Sequence, residues 1–475
     1  MNSNFRALLD AFAEANRDKM IEDLKSLVKI DSTLSEPKNG APLGEGVKCV
    51  LETVDALFSR EGFLTDNHSK YTLAKYVAKD QNAPEIGIFA HGDVVPVDAS
   101  DWDHDPFDPQ IKEGCLFGRG SIDDKPGIIT ALYAMKFIKE NVSSFKSKVT
   151  AFTGGCEETS MEDIEIFAKE NSMPDLSIVP DCDFPVSLGE KSIFHFWSKS
   201  DETLCDIIKF EGGSAFNIVL GKAVAEIKST DIIKTEIKKL VSLSDHKDSY
   251  SITETGDVLV LKATGIPAHA AMPEGSLNAA YLLSDILSRC TGLCDTDRRV
   301  MRFTSELTAD SYGTGLKINH TDKNFGKLTA ATGMCKMDGG HLMLSFDVRH
   351  GAAVTASELA ADVEDLLFEN HWSVKLEQPM PGFEIDKNSA PAKRFIEVYR
   401  DFSGDKNAQP FYSSGGTYAR HLNNAFSVGT RVNYIKPKIP CGEEHQANEG
   451  ICIDSFIEAF KIITAMIIEA DKILN

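Results

Sequence analysis

Apolar positions recur at helical spacing over residues 5–30 (Phe5, Leu8, Leu9, Phe12, then Met20, Ile21, Leu24, Leu27 and Val28), which predicts an amphipathic helix at the start of the chain. A second helical stretch runs over residues 46–60 and stops at Gly62. Shorter apolar runs at 73–77, 86–90, 149–153 and 176–181 read as strands bounded by turn residues. Between the second and third of these lies an irregular Pro- and Asp-rich loop at 102–109, in which His104 reads as a solvated residue. It is followed by Gly118-Arg-Gly-Ser-Ile-Asp-Asp-Lys-Pro-Gly127 and a helix to about Glu140, with Pro126 tolerated in the first turn. Gly154-Gly155 break the third strand, and Ser160 followed by Asp163 suggests a near capping box for the next helix. Strands alternating with helices at this spacing predict an α/β fold: a mixed, mostly parallel sheet sandwiched by helices.

After residue 186 the pattern changes. Asn217 and Asn278 each stand near an expected helix start, and the stretch to about 390 reads as a separate α/β domain. Past Pro391 the pattern of the first 186 residues returns, with a helix at 392–402, the loop Ser413-Ser-Gly-Gly-Thr-Tyr-Ala-Arg420, the segment Gly442-Glu-Glu-His445 and a closing amphipathic helix at 453–473. The expected division is therefore residues 1–186 plus 391–475 on one side and 187–390 on the other.

Composition narrows the class. In 475 residues, 72 acidic against 50 basic side chains give a net charge of −22, a surface that repels phosphate backbones and argues against nucleic-acid binding. The start of the chain lacks the basic segment and apolar core of a secretory signal, and no run approaches the ~18 apolar residues that would span a bilayer. A soluble cytoplasmic protein with no membrane contact is expected. The 10 cysteines are scattered with no Cys-x-x-Cys pair and read as reduced thiols, Cys156 and Cys182 as small buried fillers.

Candidate chemistry collects where strands end. His91-Gly-Asp93 closes the strand at 86–90, and chemistry in open α/β sheets gathers beyond the carboxyl ends of strands. Asp123, Glu157, Glu158 and Asp181 stand at comparable positions, and His445 follows late in the chain. Two imidazoles with several carboxylates suit borderline-hard divalent cations, Zn²⁺ first and Mn²⁺ next. Two cations ~3.5–4 Å apart need a bridging carboxylate, for which Asp123 is the candidate. One ion would take His91 and Asp181, the other Glu158 and His445, with Asp93 orienting His91. Glu157 would then stay free to handle protons. Each of these residues alone is more often a helix cap, a solvated charge or a loop residue; six at strand ends together are harder to explain structurally.

These motifs, His91-Gly-Asp-Val-Val-Pro, Gly118-Arg-Gly-Ser-Ile-Asp123-Asp-Lys, Glu157-Glu158-Thr and His445, resemble those of the dinuclear zinc exopeptidases and deacylases, the family of glutamate carboxypeptidase, acetylornithine deacetylase and carnosinase. The chain is most similar to the bacterial dipeptidase V type. That likeness rests on Trp102…Asp105-Pro-Phe, Pro180-Asp181-Cys-Asp-Phe-Pro185 with Gly189-Glu-Lys191, Ala215-Phe-Asn217, Ala268-His269…Pro273-Glu…Asn278-Ala and Gly415-Gly-Thr-Tyr-Ala-Arg420. The resemblance implies a catalytic domain of 1–186 plus 391–475 with an inserted lid over 187–390, and a monomer. It makes Asp93 and Glu157 the catalytic pair and His269 the group that stabilises the oxyanion. Asn217, Arg349, Gly415 and Gly416 would contact substrate. It also implies a cis Asp123-Asp124 bond. The chain departs from the family at Lys125-Pro126-Gly127, where a Gly usually follows the Lys directly.

The activity expected on this basis is metal-dependent hydrolysis of dipeptides, with Glu157 as general base and two divalent ions as cofactors. An N-acyl amino-acid deacylase on the same site is the nearest alternative. A non-catalytic peptide-binding protein would be expected to lack Glu157 or a ligand, and this chain keeps them all. A purely structural reading leaves the strand-end acids unexplained.

Overall fold

The computed structural model describes residues 3–377 and 379–475, and it divides into two compact units. One runs to Gly189 and resumes over Glu384–Asn475; the other is Glu190–Phe383.

The first unit opens with helices α1 (Ser3–Val28) and α2 (Glu45–Arg60), the two that the apolar spacing predicts. Its sheet is built from β1 (Leu64–Asn67), β2 (Tyr71–Tyr76), β3 (Glu85–His91), β4 (Lys148–Gly154), β5 (Leu176–Cys182) and β6 (Ala425–Gly429). They lie in the order β1-β2-β4-β3-β5-β6. The four central strands, β4, β3, β5 and β6, are parallel, and the flanking pairs are antiparallel. The fold is thus mixed α/β with a parallel centre, and the buried runs of β3 and β4 are apolar because both faces are covered. Helices α3 (Lys125–Asn141), α4 (Glu162–Glu170), α5 (Ala390–Ser403) and α6 (Ile453–Leu474) complete the unit. One apolar cluster joins α1, α2, α3, α5 and α6 to the sheet, with Ile86, Ile88, Ile129, Leu132, Phe460 and Ile463 fully buried. Parallel register brings His91 beside Gly154, so the carboxyl ends of neighbouring strands open on one edge.

The second unit is an antiparallel sheet with four α-helices, Asp231–Leu243, Ala279–Arg289, Asp295–Thr308 and Ala356–Glu369. Its apolar core is its own, centred on residues such as Phe196, Phe210, Leu261, Leu283 and Phe346. No helix among the described residues is long and apolar enough to cross a membrane.

Three local expectations are corrected. Ser160 and Asp163 form no capping box: α4 starts at Glu162 after Met161, whose φ is 51°, and no side chain caps it. Asp163 turns inward instead, because the amides of Gly155 and Cys156 are buried there and need an acceptor. Asn278 does cap the helix Ala279–Arg289, but Asn217 sits in the connection between the strands Ile207–Gly212 and Lys222–Lys228, with no helix after it. His104 is no solvated residue: its ring lies edge-on to Trp102 and Phe117, with both nitrogens buried.

Candidate active site

Of the six candidate residues, His91 and Asp181 belong to the ends of strands and the other four to turns. His91 is the last residue of β3 and wholly buried. Asp123 precedes α3 and joins Asp124 through a cis peptide bond. Glu157 and Glu158 follow the Gly154-Gly155 break after β4, Asp181 is in β5, and His445 lies on the loop before α6.

The two oxygens of Asp123 face two different imidazoles. Oδ1 is 2.8 Å from His91 Nε2, and Oδ2 is 3.0 Å from His445 Nε2. Asp181 Oδ2 lies 3.8 Å from His91 Nε2, and Glu158 Oε2 lies 3.1 Å from His445 Nε2. Ligand atoms of His91, Glu157 and Asp181 lie within 4.8 Å of one another, as do those of His91, Asp123 and Glu158. Asp181 thus stands beside His91 and Glu158 beside His445, with Asp123 between the two rings, while Glu157 shares a group with His91 and Asp181. Glu157 Oε1 is buried and has no hydrogen-bond partner. A ring of N and O donors with a buried carboxylate oxygen left over fits divalent cations, which would offset the charge that burial otherwise penalises.

Crowding shows in the proton affinities. Burial pushes the Glu157 carboxyl well above its usual range, and the Asp181 charge adds to this. Asp181 is raised in the same way by burial and by Asp123. For Asp123, burial works upward but the hydrogen bonds from His445 and His91 prevail and hold it low. Burial opposes the charged form of His445, yet Asp123 and Glu158 outweigh it and raise the ring to about 11.

Asp93 does more than orient His91. Its backbone carbonyl, 3.0 Å from His91 Nδ1, makes the closer contact, with its carboxylate at 3.5 Å. That carboxylate also accepts the backbone N–H groups of Glu157 at 3.2 Å and Glu158 at 3.1 Å, so it fixes the acidic pair as well as the imidazole. Asp163 accepts from Gly155 N at 2.7 Å, Cys156 N at 3.1 Å and Tyr418 Oη at 2.6 Å. Cys156, with its thiol pushed up to about 12 by burial, packs as a filler.

Sequence reasoning missed Glu449. Its carboxylate accepts from Arg119 Nη1 at 2.6 Å, Gly120 N at 3.1 Å, Ile122 N at 2.7 Å and Asp123 N at 3.3 Å. Trp102, one of the motif residues, has its ring 5.4 Å from the Arg119 guanidinium. A lone Glu between the turn formers Asn448 and Gly450, just after a candidate ligand, was the available signal. The Lys125-Pro126-Gly127 departure leaves the Asp123 turn closed, since Gly127 N donates to Asp124 O. A Cβ at Gly127 would fall 2.4 Å from Asp124 Oδ1, so the displaced glycine makes room for that side chain.

Gly416 is required locally: a Cβ there would lie 2.0 Å from Arg420 Nη2, whose guanidinium also donates to Gly415 O. The remaining expected residues belong to the second unit. Asn217 and His269 are neighbours on paired loops, with Ala270 N donating to Asn217 O at 2.8 Å. His269 is exposed, and its Nδ1 accepts from Ala271 N. Arg349 is buried and doubly bonded to Asp347, Nε at 2.9 Å and Nη2 at 3.0 Å.

Residues 87–469 match the family described as Peptidase family M20/M25/M40, and the chain belongs to that family, hydrolases that cut peptide bonds. Among its relatives is the Beta-Ala-Xaa dipeptidase of Lactobacillus delbrueckii subsp. lactis, 29% identical over 488 residues that cover 99% of both chains. Human carnosine dipeptidase 1 shares the fold at 13% identity, with a TM-score of 0.60 and 99% of each chain covered. So does the di-peptidase Dug1p of Saccharomyces cerevisiae, at 13% identity, a TM-score of 0.60 and 98% coverage of each.

Proposed function

We propose that this chain is a metal-dependent dipeptidase whose site holds two divalent cations, Zn²⁺ first and Mn²⁺ as the alternative. The observation that carries the reading is Asp123, whose two oxygens face His91 and His445. His91 and Asp181 would hold one ion, Glu158 and His445 the other, and Asp123 both. Cations held there would polarise a peptide carbonyl and bring the ionisation of water towards neutral pH.

The chain's own residues supply the rest. Glu157 takes a proton from the attacking water and returns it to the leaving amine, a role that suits a buried carboxyl with raised proton affinity. Asp93 keeps the His91 ring and the Glu157-Glu158 amides in one arrangement. In the second unit, which we read as the lid expected over 187–390, His269 stabilises the oxygen that gains charge, while Asn217 and Arg349 hold the substrate. Asp347 holds Nε and Nη2 of Arg349 and so orients the guanidinium that would meet a substrate carboxylate. Gly415 and Gly416 line the substrate in the first unit. The Beta-Ala-Xaa name of the Lactobacillus relative favours dipeptides with a β-alanyl first residue as first substrates. The protein is expected to act as a cytoplasmic monomer.

The test is a digest of a dipeptide library and of N-acetyl and N-succinyl amino acids, with and without a chelator, products read by mass spectrometry. Chelator-sensitive dipeptide cleavage is expected. Cleavage of the N-acyl compounds alone would make the chain a deacylase.

A further inference from the structure

His445 is a difficult residue to place accurately. Its side chain is 46% exposed, so packing does not fix it. Its φ is 63° and that of Asn448 is 56°, both left-handed, so the loop between them is a tight closed turn with no regular ladder of its own. The loop shuts on itself through Gly442 N to Asn448 O at 2.8 Å and Gly450 N to Gly442 O at 3.2 Å. Asp103 N donates to Asn448 Oδ1 and Arg431 pairs with Glu443 and Glu444, and the tie from this loop to the turn that bears Asp123 runs through the residue at its foot, Glu449.

We propose that Glu449 is a positioning residue that fixes the bridging Asp123 and the loop of His445 as one piece, so that the two cations can be held at once. The inference rests on the cation-binding reading of the site. Glu449 is wholly buried. Its side chain takes the N–H groups of Gly120, Ile122 and Asp123 and the Arg119 guanidinium, and its carbonyl takes Gly118 N at 3.0 Å. Successive donors from 118 to 123 thus converge on one residue that lies 326 positions from Asp123 in sequence.

The choice of glutamate follows from the donors. An ionised carboxylate only accepts and has about four lone-pair sites, one for each N–H aimed at it. A glutamine of the same shape would offer one acceptor oxygen and turn an NH₂ group towards N–H donors, so at least one amide of the turn would lose its partner. An ion pair with Arg119 alone would not need the three amides; the amides are what attach Glu449 to the ligand-bearing turn.

A purely structural carboxylate of the same kind provides the control. In the first unit, buried Asp471 in α6 accepts from Lys146 N at 3.0 Å and Ser147 N at 2.7 Å, and none of these residues is assigned to substrate or cation. The experiment titrates Mn²⁺ into chelator-treated full-length chains by calorimetry: parent, Glu449→Gln, Glu449→Asp and Asp471→Asn. Tm is measured in EDTA, and kcat and KM with a dipeptide. Partners that orient metal ligands change affinity by roughly 10–100-fold when lost. Glu449→Gln should therefore bind Mn²⁺ 10–100-fold more weakly and lose kcat by a similar factor, with KM within threefold. Asp471→Asn should lower Tm with parental Mn²⁺ affinity. If the glutamine variant does not fold, Glu449→Asp, which keeps the charge one methylene short, decides: a loss of threefold or more supports the proposal, and parental affinity overturns it. Parental affinity in Glu449→Gln, or an equal loss in Asp471→Asn, overturns it too. A parent chain that binds no Mn²⁺ overturns the cation reading and takes this inference with it, an outcome distinct from a parent that binds and a variant that binds equally.

Discussion

The turns that carry the candidate ligands and the loops that carry the candidate substrate residues are built on opposite plans. In the first unit, three buried carboxylates each accept backbone amides of a ligand-bearing segment: Asp93 under 157–158, Asp163 under 155–156 and Glu449 under 120–123. Position is set through the main chain, and the ligand side chains are left for other partners. In the second unit, Asn217 and His269 sit on loops held by a few backbone bonds, and His269 is exposed. Arg349 is locked by a side chain, Asp347, which also meets His195 Nε2 at 3.4 Å. Metal ligands must be held to a few tenths of an ångström, whereas groups that read a variable substrate need not be. The candidate ligands of one unit are thus set by main-chain clamps and most candidate substrate residues of the other by looser loops, and each half can be broken separately.

The largest effect is expected at Glu157. Glu157→Gln removes the proton acceptor without removing an assigned ligand, so kcat should fall about 10²–10⁴-fold. Cation stoichiometry, read by metal analysis of the purified variant, should stay that of the parent. A variant that loses its cations would make Glu157 a ligand instead of a base.

Asp347→Asn tests the locked part of the second unit. Breaking a buried ion pair from one side costs about 3–5 kcal/mol, and buried Arg349 would lose the carboxylate at its Nε and Nη2. Burial alone would raise the Asp347 carboxyl, but the His195 ring and the Arg349 guanidinium outweigh it and hold it below the usual range. A carboxyl lowered in the folded state stabilises fully above its unfolded pKa of ~3.9, and that contribution fades as pH falls through the lower folded value. The stability gap between parent and Asp347→Asn, from denaturant curves, should therefore be constant between pH 5 and 7 and shrink below pH 4. A gap that persists unchanged into acid would mean the aspartate acts through shape alone.

His269→Ala addresses the exposed part. Loss of one donor to a developing oxyanion costs about 10²–10³-fold in kcat at comparable sites. Stability and cation content should stay near the parent's, because the side chain is exposed and is assigned to no cation. Unchanged kcat would remove this residue from the chemistry.

Much of this contrast is legible in the amino-acid sequence alone. Apolar periodicity locates α1, α2, β3, β4, β5 and α6, and the strand-end rule brings out His91 and Asp181 because parallel strands put their carboxyl ends on one edge. Asp123 instead sits on the turn before α3, after the antiparallel strand Cys115–Phe117. Asp347 and Arg349 are legible in principle as well, since alternate residues of the strand His341–His350 share a face. The hidden residues are those whose partners are distant or buried. Asp163 looks like a helix cap because Ser160 stands three residues before it, and only the buried amides of Gly155 and Cys156 draw it elsewhere. Glu449 bonds to amides more than 320 positions away, and a bond of that reach leaves no local pattern. Asn217 resembles a cap from its neighbours, but no helix follows for it to cap.

The smallest effect is expected where one clamp keeps most of its bonds. Tyr418 is fully buried, its ring edge-on to Phe152 at 5.3 Å and to His91 at 6.4 Å. Burial, reinforced by the Asp163 charge, raises its phenol well above the ordinary value, so the hydroxyl remains a donor to Asp163 at neutral pH. Tyr418→Phe would delete that one donor and leave the Gly155 and Cys156 amides on the same carboxylate. A hydrogen bond to a charged group contributes about 1.5–3 kcal/mol, which sets the expected loss of stability. Because the two amides still hold the turn, kcat should change less than tenfold and cation affinity less than threefold. Should Tyr418→Phe instead abolish cation binding, the hydroxyl and not the backbone clamp would be what holds Glu157 and Glu158 in place, and the division between main-chain positioning and side-chain recognition would fail in the unit where it is drawn most firmly.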